Sequence, residues 1–396
     1  MRALASVRRI ADLQPIEGAD AIEVAVVDGW KVVVKKDEFK TGDLAVYMEI
    51  DSWVPTELAP FLSKGKEPRE YNGVKGERLR TVKLRGQISQ GLLLPMTVAF
   101  DWDADESLWE YKEHPEAKFE TGEPIDHGDR IEFPVTTWVV YADEGDDLTE
   151  ALGIQKWEAV LPAQLQGQAA GLFPTDLIPK TDQERIQNCF REVERKARRN
   201  TTEKVWNAEL GVLEEFPAVH PADFQEPTYE VTMKLDGSSC TIFRWENQLR
   251  VCSRNLELKI NEENKDNTFV AMALKYAGSI IDGFAFQFEL MGPGIQGNRE
   301  EFKEHRAFVF DIFDIKEQKY LNPKNRRRWC QELALEHVPV FGTAMPAPRN
   351  VEEGLALAEG PSINHKVREG LVWKCNEDPS FSFKTISNQF LLKGGD

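Results

Sequence analysis

From residue 229 to the end of the chain, apolar side chains return at every second position in short runs: YEVTMKL, SCTIFRW, LRVCSR, FAFQFEL, AFVFDIFDI, EGLVWKC and SFKTIS. A period of two sends neighbouring side chains to opposite faces of an extended backbone, so each run predicts a half-buried strand. Two intervening stretches, NTFVAMALKYAG and NRRRWCQELALEHV, carry helical spacing instead. This pattern predicts an α+β fold, an antiparallel sheet system with helices packed outside it. No Rossmann or Walker glycine pattern occurs, so neither of those nucleotide-binding routes is supported.

Residues 1–140 alternate short β-like runs with turn signals. AIEVAVVDGWKVVV predicts a hairpin turning at Asp28-Gly29, and DLAVYMEI, RLRTVKL and GLLLP follow, each bounded by Gly, Pro or Asp. Strands of this length and spacing predict a small antiparallel barrel or sandwich, the oligonucleotide-binding (OB) barrel being one candidate. Residues 141–175 form a linker and 176–396 the second domain. Within it, LFPTDLIPKTDQERIQNCF predicts a Pro-rich loop entering a helix capped by Thr181 or Asp182, with Glu184 and Arg185 in its first turns. A charged insertion near 190–226, beginning REVERKARRN, is expected to extend that helix.

The net charge of −18 argues against a chain that coats nucleic acid by bulk electrostatics. Much of the excess lies in residues 101–150, and the basic run KGERLRTVKLRGQ at 75–87 stands out against it. No run of 18 apolar residues exists, so no membrane helix is expected. The start of the chain lacks the apolar stretch of a secretory signal; a strand with flanking arginines is favoured over an organellar transit peptide. The five cysteines contain no Cys-x-x-Cys pair and the six histidines no ligand cluster. Reduced thiols in the cytoplasm or another reducing compartment, with no structural zinc, are expected.

In YEVTMKLDGSSCTIF, Lys234 shares a strand face with Glu230 and Thr232 and stands against an Asp-Gly-Ser turn. The returning strand LRVCSRN brings Arg254 roughly opposite Cys240. Two cations converging on one glycine turn are costly unless an anion belongs between them, and a phosphate meets that need. Glu289, Asp311, Asp314, Glu369, Lys374 and Lys384 also lie on or at the ends of strands, and the glycine-rich MGPGIQGN follows Glu289. One lysine, one arginine, several carboxylates and a further lysine are the ingredients of phosphoryl chemistry on a nucleotide.

Lys234-Leu235-Asp236-Gly237 resembles the Lys-x-Asp-Gly motif I of the covalent nucleotidyltransferases, the polynucleotide ligases and capping guanylyltransferases. Ser253-Arg254-Asn255 is similar to motif Ia, Phe288-Glu289-Leu290 to motif III, Phe310-Asp311 to motif IIIa, Glu369-Gly370-Leu371-Val372 to motif IV and Ser382-Phe383-Lys384 to motif V. GPGIQ-x-N and PKTDQERIQN narrow the resemblance to ATP-dependent RNA ligases with an OB-like module ahead of the nucleotidyltransferase domain; DLAVYMEIDSWVP and LRGQISQGLLLP resemble that module. The chain departs from the pattern in several places: only Lys384 is clear where many relatives have Lys-x-Lys, Met233 precedes the nucleophile where Glu is common, and about 28 residues around REVERKARRN stand inserted between the Arg185 helix and motif I.

The resemblance implies that Lys234 attacks the α-phosphorus of ATP to form lysyl-AMP, that AMP passes to an RNA 5′-phosphate, and that an RNA 3′-hydroxyl then displaces it. For this Lys234 must lose its proton, and Arg254, Lys384 and a metal ion are expected to favour the free amine. Mg²⁺ or Mn²⁺ is implied, held largely through water by Glu369 and Glu289. Phe310 and Val372 are expected to sandwich adenine, Arg185 to hold the outer phosphates, and Asn255, Lys374 and Lys384 to contribute to the nucleotide site. Lys83, Arg85, Gln296 and Asn298 are the candidates for RNA contact. The implied partner is RNA, a nicked duplex with 3′-hydroxyl and 5′-phosphate ends, sealed by a monomer in RNA repair. Two alternatives stand beside this one. A capping guanylyltransferase is disfavoured by the GPGIQ loop and by the lack of a module after motif V, and a non-catalytic RNA-binding protein by the intact Lys234, Arg254, Glu289 and Glu369.

Overall fold

The computed structural model describes residues 3–96, 144–158, 167–180, 182–198 and 224–393, together with the backbone of short strands between 118 and 139 and between 202 and 217. Thr181 and the acidic run at 101–110 lie outside the described residues. The chain divides into two compact units, Met1–Ala159 and Val160–Asp396.

In the first unit, Leu44–Met48 pairs antiparallel with both Ala5–Arg9 and Leu92–Pro95. A meander of Asp12–Pro15, Ile22–Val27 and Trp30–Lys35 turns at Asp28-Gly29. Both turn residues have positive φ (46° and 80°), the conformation that lets a two-residue turn follow the twist of its strands. A third sheet orders Gln155–Lys156, Ser52–Pro55, Val74–Arg78 and Arg69–Tyr71. Residues 144–158, at the start of the expected linker, pack within this unit: Leu4 and Ala5 both donate their N–H to Thr149 Oγ1, and Leu152 and Ile154 join its core.

The second unit is built on two sheets. One has seven strands, with Ser238–Trp245 at its centre between Gln248–Cys252 and Phe284–Met291, and Arg306–Asp314 beyond. The other has five, in the order Glu184–Arg185, Ser382–Ile386, Gly370–Cys375, Thr228–Lys234 and Val340–Pro346. All seven runs at which the sequence alternates are strands. The helix Thr268–Tyr276 is capped by the Asn267 side chain, and Pro323–Glu332 by Asn322 with Pro323 in its first turn. These two helices cover the outer face of the seven-stranded sheet, where Cys240, Ile242, Phe286, Phe288, Val309 and Ile312 are buried. Tyr229, Val231, Leu371, Trp373 and Phe383 face the opposite way, toward helices Ile186–Lys196 and Val351–Ala358. The polar inner faces of the two sheets are thereby left to each other.

Two expectations are corrected here. The helix begins at Ile186, not near Asp182, and its N-cap Arg185 makes no side-chain cap. Glu184 and Arg185 are instead a two-residue strand parallel to Phe383 and Lys384. The expected helical extension ends at Lys196, and the chain beyond forms a hairpin of Thr202–Asn207 with Val212–Pro217. Thr, Val and Trp in TEKVWN favour the extended form over a charged helix. Among the described residues no helix is long and apolar enough to cross a membrane, and the five cysteines are free thiols.

Candidate active site

Register decides which side chains meet. Lys234 pairs with Gly370, Thr232 with Val372, and Glu230 with Lys374; on the other side of that strand, Val372 pairs with Lys384 and Lys374 with Ser382. Directly paired residues share a face, so the inner face carries three successive rungs about 7 Å apart. The first holds Lys234, the second Val372 and Lys384, the third Glu230 and Lys374.

The facing sheet presents Glu289 and Phe310. Glu289 Oε1 accepts a hydrogen bond from the Gly237 N–H at 2.9 Å, which fixes the carboxylate against the turn after Lys234. Gly237 is required by close approach: a Cβ there would lie 2.5 Å from the Leu290 carbonyl oxygen. Phe310 is set by a bulge. Gln287 pairs with Asp311 and Phe288 with Val309, leaving Phe310 as the extra residue. Val309 and Ile312, three positions apart, therefore both point to the outer core, and Phe310 and Asp311 both turn inward.

Lys234 Nζ lies 2.7 Å from Glu369 Oε1. Burial alone would lower the pKa of this amine, but the charges of Glu369 and Glu289, the hydrogen bond to Glu369 and the charge of Asp236 outweigh it and hold the pKa above its ordinary value. The expectation from the sequence was that a metal ion, Arg254 and Lys384 together favour the free amine, and only the last two are side chains of the chain itself. The structure gives those cations another partner: Asp182 reaches Lys384 Nζ at 3.2 Å and Arg254 Nη2 at 3.6 Å.

Burial, followed by repulsion from Glu369, pushes the Glu289 carboxyl up to about 8 although Lys234 opposes the shift. Asp236 rises to about 6 for the same reasons, with Lys234 and Arg299 opposing. Asp236 escaped notice in the sequence as a site residue; its place two residues after the lysine in Lys-x-Asp-Gly was the available signal. Among the described residues no three His, Cys, Asp or Glu side chains converge closely enough to ligate a metal ion directly. Three crowded carboxylates, one of them with a buried oxygen (Glu369 Oε2) that has no hydrogen-bond partner, nevertheless suit a hydrated divalent cation. Beside them Asp236, Arg299, Glu300, Ser362 and Glu369, among others, line a small open concavity.

The other expected residues divide. Arg185 is buried and paired in register with Lys384, which brings it to the same end of the site. Asn255 Oδ1 accepts from Lys180 Nζ at 2.9 Å. Lys374 leaves the group: it is buried and ion-paired with Asp311, one rung beyond Lys384. Asn298 is committed to its own loop, its amide exchanging hydrogen bonds with the Phe302 backbone at 2.9 and 3.1 Å, while Gln296 is exposed. In the first unit, Lys83 and Arg85 are exposed on a hairpin, Val82–Leu84 with Gln87–Ser89, whose Val82 and Leu84 also face solvent.

An OB-fold domain model matches residues 4–96, and an RNA ligase model matches residues 227–386. Among solved structures, an apo variant of Naegleria gruberi RNA ligase is 36% identical with a TM-score of 0.72, covering 99% of this chain and 98% of that one. The same ligase with pyrophosphate is 35% identical with a TM-score of 0.72, covering 100% and 99%. A variant of it with ATP and manganese is also 35% identical with a TM-score of 0.72, covering all of both chains. No curated protein matches the chain. The first unit is accordingly an OB-fold domain, and the α+β architecture is that of these structures.

Proposed function

The chain belongs to the RNA ligase family and is an ATP-dependent RNA ligase, and from this premise we propose that it joins RNA ends through a covalent lysyl-AMP on Lys234. The observation that carries this reading is the Lys234 amine held by Glu369 between two sheets whose inner faces supply Glu289, Phe310, Val372 and Lys384. Lysines in simple strand–turn positions are solvated; this one is drawn into a carboxylate nest.

Lys234 is the nucleophile: its Nζ forms a bond to the α-phosphorus of ATP while the bond to pyrophosphate breaks. The ammonium proton leaves along the hydrogen bond to Glu369. Arg254, Lys384 and Arg185 bind the phosphates, and Asp182 yields the first two cations to them. Phe310 and Val372 hold adenine by apolar contact. Glu369, Glu289 and Asp236 would hold a hydrated Mg²⁺ or Mn²⁺, which supplies positive charge against the α-phosphate and relieves the crowding of the three carboxylates. AMP then passes from Lys234 to an RNA 5′-phosphate, and an RNA 3′-hydroxyl displaces it to make the phosphodiester. The basic hairpin bearing Lys83 and Arg85 supports a duplex RNA substrate, and sealing of nicks by a monomer in RNA repair is the role this arrangement fits.

Incubation with labelled ATP or GTP and a divalent metal tests the chemistry. We expect one AMP on Lys234, found by peptide mass spectrometry, and none on Lys234→Ala. Labelling by GTP alone, or sealing by Lys234→Ala at the wild-type rate, would overturn it.

A further inference from the structure

Beyond the second rung lies a set of charges for which the chemistry above has no use. Arg326, from helix Pro323–Glu332, is completely buried. It pairs with Glu230, which is also completely buried, and its Nη1 lies 3.3 Å from Asp311 Oδ1. Asp311 also pairs with Lys374. Arg327 Nε lies 2.6 Å from Glu230 Oε2, without the alignment of a hydrogen bond. Arg326 Nε donates to His337 Nε2 at 3.1 Å, and Nδ1–H of the same ring donates to the Val338 carbonyl, so the imidazole is neutral. Burial and the neighbouring Arg326 hold its pKa down at about 4.

Such a network is a poor device for stability alone. Removing four charges from water costs about as much as their attraction returns, and apolar replacements of buried ion pairs are commonly neutral or stabilising. Its value lies in fixing the relative position of the elements that supply the charges. Here those elements are specific. Glu230 is on the strand of Lys234, and Lys374 is two residues after Val372 on the neighbouring strand. Asp311 directly follows Phe310, turned inward by the same bulge. The network thus joins the two sheets one rung from the places where the proposed base site has its walls.

We propose that the Lys374–Asp311 pair, clamped by Arg326 and Glu230, is a positioning device that fixes the gap between Val372 and Phe310 and so sets how tightly the enzyme holds the nucleotide base. This rests on the reading that those two residues sandwich adenine. Lys374 touches neither base nor phosphate; it acts through the strand that carries Val372.

Pyrophosphate supplies the control, because it uses the phosphate ligands and has no base. Binding of ATP and of pyrophosphate is measured on full-length wild type, Lys374→Met, Asp311→Asn and Phe310→Ala, with thermal melting as the folding control. The expected result for Lys374→Met and Asp311→Asn is ATP binding weaker by about tenfold with pyrophosphate binding held within about twofold. Should Lys374→Met fail to fold, the isosteric Asp311→Asn carries the test. Equal weakening of both ligands, or no change in either, would overturn the proposal. If Phe310→Ala also leaves the ratio of the two affinities unchanged, the base sandwich itself is wrong; if Phe310→Ala shifts the ratio and the network variants do not, only the positioning role fails.

Discussion

Glu369 holds the Lys234 amine at 2.7 Å from the position immediately before Gly370, the residue with which the lysine is paired in the sheet. The Lys234 amine and its counter-ion are thus placed by backbone register, and the resting amine is a charged one. Glu369, Glu289 and Asp236, whose charges raise its pKa, are also the groups proposed above to hold a cation, so a bound metal would compete with the lysine proton for them.

Glu369→Gln removes both a charge and a hydrogen bond that raise the lysine pKa. The midpoint for modification of Lys234 by an amine-reactive ester, followed against pH by peptide mass spectrometry, is expected to fall. Lysyl-AMP formation is expected to fall as well, since the proton path and one metal-holding group are lost.

Glu289 and Asp236, raised to about 8 and about 6, keep protons in the folded protein at pH values where the unfolded chain has released them. The stability they contribute is present at low pH and is lost as pH rises through those values. A bound cation takes the place of the protons, so the increase in melting temperature given by Mn²⁺ is expected to be larger at about pH 8.5 than at about pH 6. In Glu289→Gln this difference is expected to shrink. Calorimetric melting with and without Mn²⁺ checks both.

Asp182 occupies two cations assigned to the phosphates of ATP. A half-exposed pair of this kind is worth up to about 1 kcal/mol, so Asp182→Asn is expected to lower the KM for ATP in lysine adenylylation by up to ~5-fold. An unchanged or higher KM would show that ATP does not displace this carboxylate.

Gly237→Ala would push a methyl group against the Leu290 carbonyl and to 3.0 Å from Glu289 Cγ. The expected cost is about 1–3 kcal/mol in stability, with a larger proportional loss in adenylylation because Glu289 is displaced from its N–H donor. Urea unfolding and single-turnover labelling measure the two effects separately.

Lys83→Ala and Arg85→Ala are expected to weaken binding to nicked RNA duplexes and to reduce its salt dependence by about one phosphate contact each. Lysyl-AMP formation is expected to remain at the wild-type rate, since neither residue lies in the nucleotide site. A filter-binding titration across salt concentrations provides the readout.

The strands were legible because alternation is a direct image of which side chains face the core, and Lys234, Glu289 and Glu369 stood out as charges placed inside that pattern. Asp182 was misjudged because an Asp four residues before a helical run satisfies the capping rule; only the parallel pairing of Arg185 with Lys384 shows that the chain is still extended there. Lys374 was drawn in as a possible second lysine of motif V, and the structure gives it an ion pair within the fold. Its partner Asp311 comes from another sheet, and contacts across that gap leave no local trace in sequence. The hairpin beyond Lys196 was hidden by the charge-rich composition of the segment around it.

On the proposed role of Phe310, the bulge there would tie binding to the count of residues in one strand. Deleting that single amino acid would restore unbroken pleating through Val309 and Ile312 and leave the buried apolar layer filled as before. What would vanish is the aromatic wall of the cleft. On the proposed adenine sandwich, a folded protein would then have lost one of the two walls of its base site, through a change of length alone.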